Sequence, residues 1–444
     1  MITDKGREII GKFLLGQTSH YGEYLAIGCG YNQMVNGSLP VAQVTNKALT
    51  SNVVTLTTSL PHKFVVGDIV TINISDAVFN GTFTVTDVPT SVTFKYAKTN
   101  ANISSSATSG TASLELNPAR LTLDYEMVRV PVISRGLITE VQDDGTEVTK
   151  LTLKAELPTE QRYKITEVGL YSDSANARAG VFDSKRLSGF LPSEKWVDNT
   201  SQPIVNYSDA IVDPNNYIVT GTHGYVTDEN RAWDHPTRKV LQQPPRYFDH
   251  SILVRGDFGT FTAAVPAGNS NYIKTNSLNY NFNENSAEDI FKFAYAIVPE
   301  NPATLTPPDR AVIVVDFLNE YTQNSSYARW TIDVDPANFL WPDNNYYFYQ
   351  VANSKKQDFV LSNSAFSWAS VNGIRVYVSV QNSGGTALDS WYVLLDGFRL
   401  ENISALNPLY GLVGYNVIDT PSGQPVVKRN NTVNFIEYRF SLQV

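Results

Sequence analysis

The acidic side chains Glu284, Glu288, Asp289, Asp309, Asp316, Asp333 and Asp335 come nearest, by type and grouping, to a catalytic set. A glycosidase needs two carboxyl groups about 5–10 Å apart on either side of a sugar cleft. Chain spacing does not supply that separation, and most acids on a β-sandwich are solvated. No catalytic residue is assigned, and the chain is read as a non-enzyme. The text DVDP at 333–336 begins like a calcium loop but lacks the remaining ligands of an EF-hand. His20, His62, His223, His235 and His250 are scattered without metal-ligand spacing. Cys29 sits among glycines at a strand end, without the flanking signature of a catalytic thiol.

Aromatic residues crowd one later segment: Trp330, Trp341, Tyr346, Tyr347, Tyr349, Trp368 and Trp391. Pyranose rings stack their C–H faces on exposed aromatics, so Trp330, Trp341, Tyr346, Tyr347 and Trp391 are candidates for a glycan face. The same side chains fill cores and protein interfaces, and that reading takes precedence.

The elements that must carry these residues are strands. Charged residues make up 17% of the 444, below the usual share of about 25%. Tyr, Phe, Thr, Asn and Ser abound, as in sheets with polar uncharged faces joined by Asn- and Gly-bearing turns. The length suggests two to four domains at roughly 100–200 residues each. The net charge of -9 comes with no basic stripe, which argues against nucleic-acid binding. A single cysteine allows no intrachain disulfide and fits folding in a reducing cytoplasm. The start MITDKGREII lacks the apolar core of a signal peptide. No apolar run reaches the roughly 18 residues of a spanning helix, so no membrane insertion is expected.

One helix is expected, just after Thr3. Thr3 caps it, Asp4 faces its positive end, and Ile9 with Phe13 and Ile10 with Leu14 form i,i+4 pairs before a stop at Gly16. Residues 41–115 then alternate strictly, as in VVTLTT at 53–58 and IVTINI at 69–74, and predict a small inserted β-sandwich or barrel. ISSSATSGTAS at 103–113 reads as a loop or the end of that module. Longer strands follow at 121–132, 148–157 and 164–171. Pro, Asn and Asp dominate 191–245, read as an extended linker. Strands return over 246–403, spaced as in a jelly roll. In 404–444, FIEYRF has one apolar face that must be covered by a sheet edge or a neighbouring protein, so this piece is read as docking strands. The expected fold class is mainly β and modular: a small N-terminal α+β domain with an inserted β-sandwich, then a jelly-roll β-sandwich.

Two N-terminal texts carry a resemblance. ITDKGREIIGKFLLGQ…YLAIGCG at 2–30 and KITEVGLYSDSANARAGVF at 164–182 resemble the attachment domain of bacteriophage tail-fibre proteins of the tail-collar type. Thr3, Gly6, Gly28, Gly30, Glu167, Gly169, Leu170, Tyr171 and Asp173 match that pattern. The resemblance implies a discontinuous attachment domain at 1–40 and 116–190, interrupted by the 41–115 module. It also implies a virion protein of the tail, fibre or baseplate, assembled in the host cytoplasm, with other tail and baseplate proteins as partners and a homotrimeric state. Further on, LVRGDF at 253–258 and YVLLDGFRLE at 392–401 resemble the early and late strands of carbohydrate-binding jelly rolls. That implies, as an alternative, a receptor-binding adhesin for a host surface glycan, with a structural calcium ion between Asp257 and Asp396. The late strand has one acid where the family often has two, and we read both aspartates as turn or strand-end positions. A polysaccharide depolymerase is the least supported function, because no β-helical repeat is visible.

Overall fold

Thr3 begins the fold as its type predicts. Its Oγ1 accepts the Gly6 N–H at 2.8 Å and caps helix α1 (Asp4–Leu14). At the far end Gly16 takes φ +70°, and Gly16 and Gln17 return their N–H groups to Phe13 and Lys12, the glycine-ended stop expected there. The helix buries Ile9, whereas Leu14 remains exposed.

The computed structural model describes residues 1–28, 34–60, 62–90, 92–159, 163–172, 196–198, 205–206, 223–227, 250–255, 257–258, 272–275, 281–282, 290–299, 310–320, 326–334, 350–381, 391–401, 411–421, 426–429 and 431–441. They fall into two units, Met1–Asn176 with Asn407–Val444, and Ala177–Leu406. Both are built of strands, and the chain is mainly β and modular.

After β1 (Tyr24–Gly28) and β2 (Met34–Val35) come β3 (Val41–Thr50), β4 (Val53–Thr58), β5 (Ile69–Ile74), β6 (Gly81–Thr90), β7 (Thr93–Ala97) and β8 (Ile103–Glu115). These last six close a barrel in the order β3-β4-β7-β6-β5-β8. Alternation drives closure: Val54 and Leu56 point in while Thr55 and Thr57 point out, and Phe94, Tyr96, Val70 and Ile72 fill the interior. The text read as a loop at 103–113 is instead most of β8, which pairs with both β3 and β5. Small side chains suit it to that double role. Gly110, at φ +139°, lies so close to β5 that a Cβ would stand 2.5 Å from the Ile74 Cα.

The first unit continues through β9 (Glu126–Pro131), β10 (Ser134–Val141), β11 (Glu147–Leu157), β12 (Tyr163–Ile165) and β13 (Glu167–Tyr171). The second holds β14 (Trp196–Asp198), β15 (Val205–Asn206), β16 (His223–Thr227), β17 (His250–Arg255), β18 (Asp257–Phe258), β19 (Tyr272–Thr275), β20 (Ile290–Pro299), β21 (Arg310–Leu318), β22 (Tyr327–Val334), β23 (Gln350–Lys355), β24 (Val360–Leu361), β25 (Gly373–Gln381) and β26 (Trp391–Glu401). The chain then returns to the first unit as β27 (Leu412–Val417), β28 (Asp419–Thr420), β29 (Val426–Lys428) and β30 (Asn434–Ser441).

That return corrects the reading of 404–444 as separate docking strands. β27 joins the sheet β27-β13-β1-β9, β29 pairs with β12, β28 runs beside β2, and β30 completes the sheet β10-β11-β30. The apolar side of FIEYRF is covered by its own chain: Tyr438 and Phe440 are buried opposite Leu153 and Leu151.

In the second unit, a seven-stranded sheet (β14-β19-β25-β21-β22-β24, with β18 beside β25) packs on a six-stranded one (β15-β16-β17-β26-β20-β23). Phe291 of β20 meets Phe317 of β21 at 4.7 Å, and Phe293 meets Trp330 of β22 at 5.3 Å, so aromatic rings from both sheets form the sandwich core. Within 191–245, read as an extended linker packed against its neighbours, the described residues pair with neighbouring strands. There β14 pairs with β19, and β15 and β16 extend the sheet from β17, so backbone bonding recruits segments whose side chains do not alternate. β17 and β26 are neighbours, Ile252 opposite Leu395 and Arg255 opposite Tyr392.

Candidate functional site

The residues matching the attachment-domain pattern converge where the chain start, β1, β13 and β27 meet. Thr3 is fully buried. Its hydroxyl donates to the Leu412 carbonyl at 2.6 Å while capping α1, and its N–H donates to the Val413 carbonyl at 3.0 Å. Gly6 lies against the same strand: a Cβ there would stand 2.6 Å from the Val413 carbonyl carbon and nearer still to its oxygen. Only glycine lets the helix approach β27 so closely.

Gly28 and Glu167 pair across β1 and β13. Glu167 is 1% exposed, and its oxygens accept the Tyr125 N–H at 2.9 Å and the Asp124 N–H at 3.0 Å. The Arg120 guanidinium lies 3.8 Å from the same carboxylate, pairs with Asp124, and sits 4.8 Å from the centre of the Tyr415 ring. Hydrogen bonds and a nearby cation are what a buried carboxylate requires. Gly169 makes room for Leu412 and Leu123, whose methyls would stand 2.9 and 3.0 Å from a Cβ. Tyr171 accepts the Leu123 N–H at 3.1 Å, and its ring packs 3.4 Å from the Arg129 guanidinium, which holds Glu126 in turn. Gly30, Asp173 and Cys29 lie outside the described residues.

Arg120 and Tyr415 complete this lock, and sequence reasoning missed both. The Tyr415 hydroxyl accepts the Asn117 N–H at 2.7 Å and donates to the Asn117 carbonyl at 3.1 Å. No local pattern marks a partner 298 residues away. Burial raises the Tyr415 pKa, so the hydroxyl keeps its proton. Chemically, the arrangement binds backbone to backbone and presents no activated nucleophile.

The other candidates separate. Trp330 is half-buried, its ring packed against Phe293 and Phe359 between the sheets. Trp341, Tyr346 and Tyr347 lie outside the described residues, as do Glu284, Glu288, Asp289, Asp309 and Asp335. Trp391 begins β26 opposite Pro299. Asp257 and Asp396 stand on strands of different sheets, Asp257 on β18 and Asp396 on β26. Among the described residues, no group of three His, Cys, Asp or Glu side chains could hold a metal ion. No described helix is long and apolar enough to cross a membrane.

Asp316, one of the carboxylates considered for glycoside chemistry, is fully buried between two arginines. Arg329 donates to its oxygens at 2.7 and 2.9 Å, and Arg375 at 3.2 and 2.5 Å. The three side chains stand in one row across β22, β21 and β25. Both Asp316 oxygens are taken up by guanidinium donors in a fully buried position. In the barrel, His62 stacks on Phe64 at 5.0 Å, and its Nδ1 accepts the Phe64 N–H at 2.9 Å. Burial lowers its pKa. Burial pushes Asp68 up to about 6, opposed by the Val65 N–H and by Arg120.

The mainly β, modular architecture with its locked motif residues is what comparison with known proteins has to account for. No family model matches the chain, and no curated protein does. Among solved structures, that of infectious bursal disease virus Gx strain aligns over 95% of this chain and 76% of that one, at 9% identity and a TM-score of 0.14. A likeness at that level carries no argument about fold or function.

Proposed function

We propose that this chain is a structural protein of a bacteriophage tail, a fibre or baseplate component that connects the tail to host-recognition parts. One observation carries the reading. The segments resembling the tail-collar attachment pattern are split by the barrel, yet they share one sheet and helix contact, and Thr3, Gly6, Gly28, Glu167, Gly169 and Tyr171 each have a role their type explains. Thr3 caps and anchors, Gly6 and Gly28 allow close approach, and Glu167 holds two backbone amides. In this reading the protein is not an enzyme, its partners are other tail and baseplate proteins, and it resides in the virion. Self-association accompanies it, with three copies the number the resemblance implies. The test is mass spectrometry and antibody-labelled electron microscopy of purified phage particles from the organism encoding the chain. Peptides and label at the tail are expected; their absence from particles overturns the reading.

The pairing of β17 with β26 favours a second reading, an adhesin whose sandwich grips a host surface glycan. Binding on a glycan array would support it, and release of reducing ends from host polysaccharide would overturn the non-enzyme reading.

A further inference from the structure

The chain leaves the first unit and returns to it at one point. β13 ends at Tyr171 and β27 begins at Leu412, and these two residues are paired neighbours. One step further, the Ser172 N–H donates to the Gly411 carbonyl at 3.1 Å. The Gly411 N–H donates to the Ser172 hydroxyl, also at 3.1 Å. Ser172 and Gly411 stand 239 positions apart in the chain, yet they occupy the place of the last bonded pair of a hairpin. A short turn is all that two strands so placed need to be joined.

The described strands between those two residues complete their own sheets. The seven- and six-stranded sheets draw only on β14 to β26, and the other sheets and the barrel draw only on strands of the first unit. Among the described residues, no sheet takes strands from both. The cores divide in the same way. Phe282, Phe291, Phe317 and Phe359 pack around Trp368 in the second unit. Ala26, Leu123, Tyr171, Leu412 and Tyr415 pack together in the first. Asp316 finds both of its arginines, Arg329 and Arg375, inside the second unit.

We infer that 173–410 is a self-folding module grafted into the β13–β27 hairpin of a mounting body made of 1–172 and 411–444. An insert whose two ends adjoin leaves the strands of its host in register and can carry its own core. Val41 and Ser113 are likewise neighbours across β3 and β8, so the barrel is set into the same body in the same manner. The body therefore carries two grafts, and its C-terminal strands belong to the mount and not to the module before them. A module held in this way can be exchanged without rebuilding the body. Holding the ends of a long unfolded insert together costs the body closure entropy, but that cost grows only slowly with length. Loss of the module's fold should therefore leave the body folded. The inference stands on strand pairing and does not rest on the tail reading.

The test is denaturant titration of the full chain, followed by two signals. All six tryptophans, Trp196, Trp233, Trp330, Trp341, Trp368 and Trp391, fall within 173–410. Tryptophan emission therefore reports the module alone, while far-ultraviolet circular dichroism reports module and body together. Asp316→Ala should move the emission transition to lower denaturant and leave the rest of the dichroism change where it stands. Leu412→Ala opens a cavity in the core of the body and should do the reverse. The two variants separate the parts even where the wild-type midpoints coincide. If Leu412→Ala keeps the body from folding at all, the emission transition should still appear at the wild-type denaturant concentration. Its loss in that variant overturns the inference, as does a single transition in both signals that moves as a whole with either substitution.

Discussion

Gly28 and Glu167 face each other across β1 and β13, and each makes the other's position workable. A Cβ on Gly28 would stand 2.6 Å from the Tyr125 carbonyl oxygen and closer still to a Glu167 oxygen. The missing side chain leaves the space in which the buried carboxylate reaches the Asp124 and Tyr125 amides. The pair thereby ties the segment before β9 to the central strands of the first unit.

Gly28→Ala should destabilise the first unit by about 1–3 kcal/mol or more, the cost of overpacking where backbone must shift. Glu167→Gln keeps the volume but offers one acceptor oxygen for two amides, and stranding a buried donor costs about 1–3 kcal/mol. Denaturant titration should show both losses. Wild-type midpoints would mean that the local geometry yields easily and that neither residue is held for this reason.

Among the described residues of the second unit, Asp316 should be the most sensitive charge. Asp316→Ala leaves Arg329 and Arg375 buried without their shared anion, and breaking a buried pair in this way costs about 3–5 kcal/mol. Replacing all three residues by well-packed apolar side chains should restore much of the loss, because burying the charges is itself costly. Thermal melts of the single and triple variants check this. A triple variant no better than Asp316→Ala would show that the triad does more than neutralise itself.

The barrel should respond to pH in two opposing ways. Asp68 ionises near 6 when folded and near 3.8 when unfolded, so its contribution is fully present below about pH 3.8 and is lost as pH rises through about 6. His62 has a lowered folded pKa, so its contribution is present above its unfolded value of 6.5 and is lost as pH falls. Asp68→Asn keeps an oxygen for the Val65 N–H and removes the half-buried charge. Its melting temperature should exceed wild type at pH 7.5 by a few degrees, for a gain on the order of 1 kcal/mol, and should match wild type near pH 4. A difference equal at both pH values would show that ionisation of Asp68 is not the cause.

Removing the barrel should be tolerated where removing the C-terminal strands is not. Val41 and Ser113 are direct neighbours across β3 and β8, so the module's ends lie together and a short linker can replace 41–115. Deleting 407–444 instead takes away β27, β29 and β30, with Leu412 and Tyr415 from the core. Solubility and circular dichroism should separate the two: the first deletion folded, the second aggregated. Aggregation of both would mean that the barrel is needed for the remainder to fold.

Local pattern determined what local physics controls. Thr3 before a helical stretch announced α1, since a cap needs only neighbouring amides. Strict alternation marked β4 and β5, and the text from 41 to 115 stood apart as a module because its closed barrel satisfies itself. Three features waited on tertiary structure. β8 has side chains too small and polar to signal a strand, and it forms because β3 and β5 both offer backbone groups to it. The strands within 191–245 form in the same way on the edges of an existing sandwich. β30 finds β11 nearly three hundred residues back, and Asp316 finds arginines 13 and 59 residues away. Strand pairing and buried charge partners are settled by contacts between distant segments, and one segment's composition records its own faces without naming the segment that will cover them.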